Sequence, residues 1–189
     1  MNHVSLACAV TLAGVFLAAV WNKRSRLRFE VFVATAGPLS LLPRRWRGRA
    51  AAAVTAAESA VVTACAVGAV LAVLGQGGTV LLLGLLGAGA LLLIFTVAIG
   101  LMLRRGERAP CHCFGTRDTP LGLAHVVRNL FLLALCVLGS LGDSSGFAVP
   151  GVVLAVVAGL LAATLVIRLD DLLALFSTTS PRRPTGNLR

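Results

Sequence analysis

Charged residues are scarce in this chain of 189 amino acids, and tyrosine is missing altogether. Asp, Glu, Lys and Arg make up 13% of the residues, about half of the roughly 25% that soluble domains carry. This shortage, together with 58% hydrophobic residues, excludes an ordinary water-soluble globule and a disordered basic chain. The 20 glycines follow no fixed period and there are only 5 cysteines, which excludes a collagen-like chain and a disulfide scaffold. A small integral membrane protein without a large soluble domain remains.

Long apolar runs occupy most of the chain, and five of them approach the roughly 20 residues that a transmembrane helix needs. They cover about residues 4–21, 50–74, 79–103, 124–141 and 147–167, and the fourth is the shortest. Tight turns are predicted at residues 76–78 and 142–146, which are rich in glycine. We therefore expect an all-α polytopic transmembrane bundle of four to five spans over residues 1–176, followed by a disordered polar tail at 177–189.

A sixth apolar stretch, residues 29–42, is only 14 residues long and contains Pro38. This length suits an interfacial or re-entrant segment better than a span. The interpretation that we favour is a surface helix broken at Pro38.

The basic residues divide unequally between the two sets of loops that five spans create. One set holds all 17 of them, whereas the other holds none and has Asp143 as its only acid. Because Lys and Arg in short loops mark the cytoplasmic side, the predicted topology has the N-terminus outside and the C-terminus in the cytoplasm of a multi-pass cell-membrane protein. Contact with anionic lipid head groups accounts for the net charge of +10 without nucleic acid as a partner. Trp21 and Trp46 fall on the same predicted interface.

The residues with the clearest chemical potential are Cys111, His112 and Cys113, in the basic connection between the third and fourth spans. Nearby arginines and His112 favour the thiolate, which is the reactive form of cysteine. A disulfide closed across one intervening residue should be strained, and strained disulfides tend to be labile or catalytic. A redox-active dithiol is the favoured interpretation. Metal binding through the three residues and a pair of ordinary reduced thiols are the alternatives, and a second Cys/His cluster that would complete a zinc site is missing.

Glu58 is the one ionisable residue deep within a predicted span, and such residues are functional candidates by default. Its carboxyl group is expected to accept a proton during thiol chemistry or to pair with Arg128 or His125. A protonated Glu58 that bridges two helices and a small proton-coupled transporter are the alternatives. Three further cysteines lie inside spans, where they behave as small hydrophobic residues or else form an electron relay from Cys111 and Cys113: Cys8, Cys65 and Cys136.

The chain resembles the methylamine-utilisation MauE family, which is grouped with DoxX-like redox-associated membrane proteins. The stretch from Trp21 through Lys23 to Phe29 is similar to the family's Gly-Lys-Leu-Arg-Asp-Pro-x-x-Phe segment, although its Gly and Asp-Pro are absent. Residues 41–43 match a Leu-Leu-Pro, and Glu58 matches the acidic residue of the second span. Cys111 to Gly115 and Arg128-Asn129-Leu130 resemble the Cys-x-Cys-Phe-Gly core and the Arg-Asn-Leu helix start. The resemblance covers about residues 4–140.

The resemblance implies thiol–disulfide exchange in the membrane, in support of the maturation of a partner such as methylamine dehydrogenase and alongside a thioredoxin-like protein. The implied chemistry is related in kind to that of the DsbB and vitamin K epoxide reductase bundles, which use a quinone. This sequence itself shows no quinone site and no other cofactor. The expected activity is that of a membrane thiol–disulfide oxidoreductase or of an accessory to one. A non-enzymatic assembly subunit is the alternative.

The predicted thiol chemistry and the predicted topology conflict with each other. Thiol oxidation of exported proteins takes place outside the cytoplasm, whereas the distribution of charge places Cys111 and Cys113 inside. Either the pair exchanges with a cytoplasmic thioredoxin-like protein, or the topology is inverted. We favour the topology that the charges indicate.

Overall fold

The protein is a bundle of helices in the computed structural model, which describes residues 2–35, 39, 42–76, 78–105, 123–142 and 148–176. The helices in these ranges are α1 (Asn2–Lys23), α2 (Arg26–Thr35), α3 (Arg44–Val73), α4 (Gly78–Arg104), α5 (Leu123–Ser140) and α6 (Val149–Phe176). The predicted all-α bundle is confirmed. The connection that carries Cys111, His112 and Cys113 and the predicted disordered tail lie outside the described residues.

Among the residues that the structure describes, four helices are long and apolar enough to cross a membrane: α1, α3, α4 and the part of α6 from Val149 to Leu169. The predicted fourth span corresponds to α5, whose apolar part, His125–Ser140, is shorter. The length and hydropathy of these helices make this a multi-pass membrane protein.

Polar residues inside α3 are accommodated by the helix itself. The hydroxyl groups of Thr55, Ser59 and Thr63 each donate a hydrogen bond to the carbonyl group four residues earlier, at 2.8 to 2.9 Å. Such bonds satisfy hydroxyl groups without water, as a hydrocarbon environment requires. A predominantly apolar span therefore tolerates them.

The end of α3 is fixed by Gly75, whose φ of +80° lies in the left-handed region that glycine adopts without steric cost. The backbone N–H of Gly75 donates to Ala72 and that of Gln76 donates to Leu71. These two bonds form a Schellman motif and satisfy carbonyl groups that the helix end leaves free. The chain thereby reverses into α4, as the glycine-rich turn predicted.

Helix α1 occupies the centre of the bundle. Half of the residues in its spanning window are buried, against 22 to 33% for the other three long helices, and it packs against α3, α5 and α6. Its contact with α6 is close because small residues face it: a Cβ added to Gly159 would lie 2.8 Å from the carbonyl oxygen of Ala7. The hydroxyl of Thr11 also donates to the carbonyl of Gly159 at 3.2 Å. Small residues commonly allow such approach between membrane helices.

Helices α1, α4 and α6 run in one direction, and α3 and α5 run in the opposite direction. Gly84 of α4 lies against Cys65 of α3, and Gly139 of α5 lies against Cys8 of α1. All helix ends that carry basic residues consequently meet at one end of the bundle, where α1, α4 and α6 end and α3 and α5 begin. We call this the basic end.

The predicted sixth stretch forms α2, which ends at Thr35, before Pro38; residues 36–38, 40 and 41 are not among the described residues. The stretch is more than a surface helix, because Phe32 is 3% exposed and Leu39 is 6% exposed, and both belong to the main hydrophobic core. Residues on the other sides of α2 remain exposed. Helix α2 thus covers part of the bundle at the basic end.

The tightest helix contact supplies a stability prediction. A Cβ added to Gly68 would lie 2.6 Å from the backbone of Leu81, so Gly68→Ala must separate α3 from α4. We expect a loss of about 1–3 kcal/mol, which is the usual cost of overpacking. Gly48→Ala, in the same helix, is the matched control because nothing lies within 4 Å of the added Cβ. Thermal unfolding in detergent measures both variants, and equal melting temperatures would contradict the packing described here.

Candidate functional site

The charged residue buried deepest in the described part of the bundle is Glu58, whose relative exposure is 0%. Lys23, the last residue of α1, reaches it across the helix contact. Its Nζ atom donates hydrogen bonds to both carboxylate oxygens, at 2.5 Å to Oε1 and 2.6 Å to Oε2. The side chain of Lys23 is only 2% exposed. The two residues therefore form a buried ion pair that links α1 to α3.

This arrangement corrects the expected environment of Glu58. The sequence analysis named Arg128 or His125 as the partner and assigned Lys23 to a cytoplasmic loop. The structure instead gives Glu58 the ammonium group of Lys23. The reason is geometric, because α1 continues to residue 23 and the long lysine stem carries the charge back into the bundle.

A further signal in the sequence pointed to Lys23. It is the only lysine of the chain, and the other 16 basic residues are arginines. A lysine ammonium group is a compact charge with three donors, whereas a guanidinium group is planar and carries five. Both groups can bind a carboxylate and an aromatic face, so these partners do not by themselves select lysine. The signal in the sequence is only that this position differs from the 16 arginines.

An aromatic ring completes the surroundings of the ion pair. The Nζ atom of Lys23 lies 4.8 Å from the centre of the Phe32 ring, within the range of a cation–π interaction. Phe32 comes from α2, so three helices meet at this point. In the low dielectric of the bundle, the carboxylate and the ring compensate a charge that would otherwise be costly to bury.

Three more polar residues are buried in the first two turns of α5: His125, Arg128 and Asn129, each at most 7% exposed. Helix register relates them to the ion pair. Gly139 contacts Cys8, and moving 11 residues along each antiparallel helix brings Arg128 to the level of Ala19, one turn before Lys23. The five buried residues therefore share the half of the bundle that adjoins the basic end: Lys23, Glu58, His125, Arg128 and Asn129. We call them the polar cluster.

The connection that carries Cys111, His112 and Cys113 is attached to the same end. It follows α4, which ends at Arg104, and precedes α5, which begins at Leu123. Arg104 and Arg105 are exposed there, and nearby guanidinium groups favour a thiolate. The positions of the three side chains lie outside the described residues, so the prediction that they form the reactive site stays a prediction.

The remaining cysteines are free and buried, and they lie in the opposite half of the bundle. Cys65 contacts Gly84, Cys136 contacts Gly89 and Cys8 contacts Gly139. Gly84 is 20 residues before Arg104, which is about 30 Å of helix. Seven extended residues from Arg104 to Cys111 span at most about 25 Å. Direct exchange between Cys111 and these thiols would therefore require an extended backbone inside the hydrocarbon, so the geometry counts against a direct relay.

Metal ligation receives no support from the polar cluster. Among the residues that the structure describes, no group of three His, Cys, Asp or Glu side chains is placed to hold a metal ion. Cys111, His112 and Cys113 are not part of that set. A metal site at these three residues remains an untested alternative to the dithiol.

The ion pair supplies a second stability prediction. Lys23→Met leaves the carboxylate of Glu58 buried without its partner, which typically costs about 3–5 kcal/mol. The double variant Lys23→Met/Glu58→Met should recover most of this loss, because a packed apolar pair often replaces a buried ion pair without penalty. Chemical unfolding in detergent measures the free energies of unfolding of the wild type, the two single variants and the double variant, which together form a double-mutant cycle.

The exposed pair of Arg26 and Glu30, 3.2 Å apart on α2, provides the control for this cycle. Arg26→Met should change the free energy of unfolding by less than about 1 kcal/mol. If Lys23→Met were as mild as Arg26→Met, the buried ion pair would not hold α1 to α3.

Comparison with known proteins identifies the family. The family model described as methylamine utilisation protein MauE matches residues 1–142, which include α1 to α5, the polar cluster and the connection with Cys111 and Cys113. The chain belongs to the MauE family. No curated protein and no solved structure matches it. Helix α6 follows the matched region.

Proposed function

We propose that this MauE-family membrane protein supports thiol–disulfide exchange with a thioredoxin-like partner, and that Cys111 and Cys113 are the reacting dithiol. The observation that supports the proposal is that the segment with the two cysteines connects the end of α4, next to the exposed Arg104 and Arg105, to the start of α5, where polar side chains are buried. Thiolates form readily in an electropositive and accessible setting. The family description, methylamine utilisation protein MauE, supports a role in methylamine utilisation, and the sequence resemblance implies that this role is the maturation of methylamine dehydrogenase.

The exchange proceeds in two balanced steps. The thiolate of one cysteine attacks a sulfur of the partner's disulfide, which forms a mixed disulfide and releases one partner thiolate. The second cysteine then attacks the mixed disulfide, which closes the Cys111–Cys113 bond and releases the second thiolate. Two electrons pass from the pair to the partner, and the reverse sequence oxidises the partner. His112 and the arginines favour the thiolate that begins each step.

The role that we assign to Glu58 is positioning. Both of its carboxylate oxygens accept hydrogen bonds from Lys23, so its charge is committed to holding α1 against α3. This contact lies in the same half of the bundle as the start of α5. Glu58 thereby fixes α1 and α3 to each other, and the two helices that the reactive connection joins pack against them, α4 against α3 and α5 against α1.

Chain length and charge support a side of the membrane for the exchange. Cys111 can lie at most about 25 Å from Arg104, whereas α4, with 27 residues, is about 40 Å long. This difference supports a position of Cys111 on the side of the basic end. The exposed arginines of that end favour the cytoplasm, so the proposed exchange is cytoplasmic and the partner is a cytoplasmic thioredoxin-like protein.

Trapping of the mixed disulfide tests the reaction. Cys113→Ser should leave Cys111 joined to its partner, because no second thiol can resolve the adduct, and a reductant should release it. Non-reducing electrophoresis followed by identification of the partner measures this. Cys65→Ser is the matched control, since that thiol is buried in the other half of the bundle, and it should yield no adduct. Full function of Cys111→Ser/Cys113→Ser, with no adduct in either single variant, would rule the proposal out.

Labelling of intact cells tests the compartment. A membrane-impermeant maleimide should leave Cys111 unmodified until the cells are permeabilised, because the basic end faces the cytoplasm. Gln76→Cys, at the turn between α3 and α4, places a control thiol at the opposite end, and it should react in intact cells. The reverse pattern would show that the topology is inverted and would move the exchange outside the cytoplasm.

A second candidate function, proton-coupled transport, draws on the buried carboxylate alone. Ionisable residues inside spans often belong to proton pathways, and Glu58 is fully buried beside a lysine. Flux that disappears in Glu58→Gln and persists in Cys111→Ser/Cys113→Ser would favour transport over exchange. Stoichiometric metal that the double cysteine variant abolishes would instead favour a metal-binding assembly subunit.

A further inference from the structure

Helix α2 presents chemically different sides to its surroundings. Phe32 is buried, and Phe29 and Val33 pack partly against the same core. Leu27 and Val31, one turn apart on another side, are 73% and 39% exposed. Residues spaced by four share a helix face, so these two form an apolar stripe that points away from the bundle. The helix therefore packs on the protein with one side and offers an apolar side outward.

Exposed arginines border this stripe and the neighbouring start of α3. They are Arg24, Arg26, Arg28, Arg44, Arg45 and Arg49. The acidic residue among them is Glu30, which pairs with Arg26. The surface therefore carries a clear excess of positive charge next to exposed apolar side chains. We call α2 with its preceding Arg24 and the first two turns of α3 the basic rim.

Two tryptophans mark the same level of the basic rim. The guanidinium carbon of Arg24 lies 4.9 Å from the Trp21 ring centre, and that of Arg49 lies 5.4 Å from the Trp46 ring centre. Both tryptophans are exposed, at 60% and 47%. Tryptophan side chains concentrate where acyl chains meet head groups. The exposed tryptophans with their neighbouring guanidinium groups therefore match the composition of a membrane interface.

The underside of α2 faces the buried ion pair. Phe32 lies over the ammonium group of Lys23, which is bound to Glu58. Helix α2 consequently separates the ion pair from the surroundings of the basic end. An interaction that stabilises the packing of α2 on the bundle therefore also keeps Phe32 over the ion pair.

We propose that the basic rim binds the head groups of anionic phospholipids, and that this binding holds α2 and its Phe32 over the Lys23–Glu58 pair. Phosphate groups match the arginines, and acyl chains match the stripe of Leu27 and Val31. A helix with adjacent basic and apolar faces lies in the plane of a membrane interface, and its binding depends on anionic lipid. An acidic protein would match the charges but would leave the apolar stripe in water. The proposal is independent of the thiol chemistry.

Hydrogen exchange of the whole protein in nanodiscs tests the proposal. One set of discs contains phosphatidylcholine alone, and the other contains phosphatidylcholine with phosphatidylglycerol. We expect the amides of α2 to exchange about tenfold more slowly in the anionic discs, because each basic residue near an anionic surface gains attraction. Salt at about 1 M should remove the difference, since it shortens the screening length to about 3 Å. The amides of α4 serve as an internal reference and should not change.

Variants separate the basic rim from a general effect of positive charge. Arg24→Gln/Arg28→Gln should abolish the lipid dependence of α2. Arg104→Gln/Arg105→Gln, at the same end of the bundle where α4 ends, should retain it. Phe32→Ala should leave α2 in rapid exchange in both lipids, because the docking contact is lost. Equal exchange of α2 in the two kinds of disc would overturn the proposal. Equal effects of the two double variants on the exchange of the α2 amides would also overturn it. So would slower exchange of these amides that appears only when an acidic protein is added.

Discussion

The bundle depends on the burial of one ammonium and one carboxylate group between α1 and α3. Each charge alone would be expensive in the low dielectric of a membrane protein, and together with the face of Phe32 they compensate one another. The pair joins the central helix to its neighbour near the basic end, and α2 docks over it. Three helices therefore meet at the same contact, and the other members of the polar cluster, His125, Arg128 and Asn129, are buried in the same half of the bundle at the start of α5.

A contrast between the two halves of the bundle follows from this arrangement. The half near the basic end contains buried charges and amide groups, and the chain extends from it into the connection with Cys111 and Cys113. The other half is closed by small residues, such as Gly68 against Leu81 and Gly84 against Cys65, and its cysteines act there as packing residues. Buried charged groups are concentrated near the exposed arginines, and the glycine contacts between α3 and α4 lie in the other half.

Much of the fold could be predicted because hydropathy acts over whole segments. The apolar runs gave the long helices, and the glycines near residue 76 gave the turn that Gly75 begins. The placement of α2 was harder to predict, because a stretch of 14 residues with a proline carries too little periodicity to show that Phe32 enters the core. The partner of Glu58 could not be identified either, since a lysine at the end of a span has the same sequence signature whether it extends outward or folds back.

By itself the sequence determined the membrane class, the helical architecture, the MauE resemblance and the sorting of all basic residues to one set of loops. These properties depend on composition and on order along the chain, because water and lipid sort long segments by their average polarity. Only the tertiary structure decided which charges meet. Lys23 and Glu58 are 35 residues apart, and a contact over that separation depends on the crossing and register of two helices. The same packing placed Cys8, Cys65 and Cys136 in the half of the bundle opposite the basic end, since position along a bundle is set by helix direction and register.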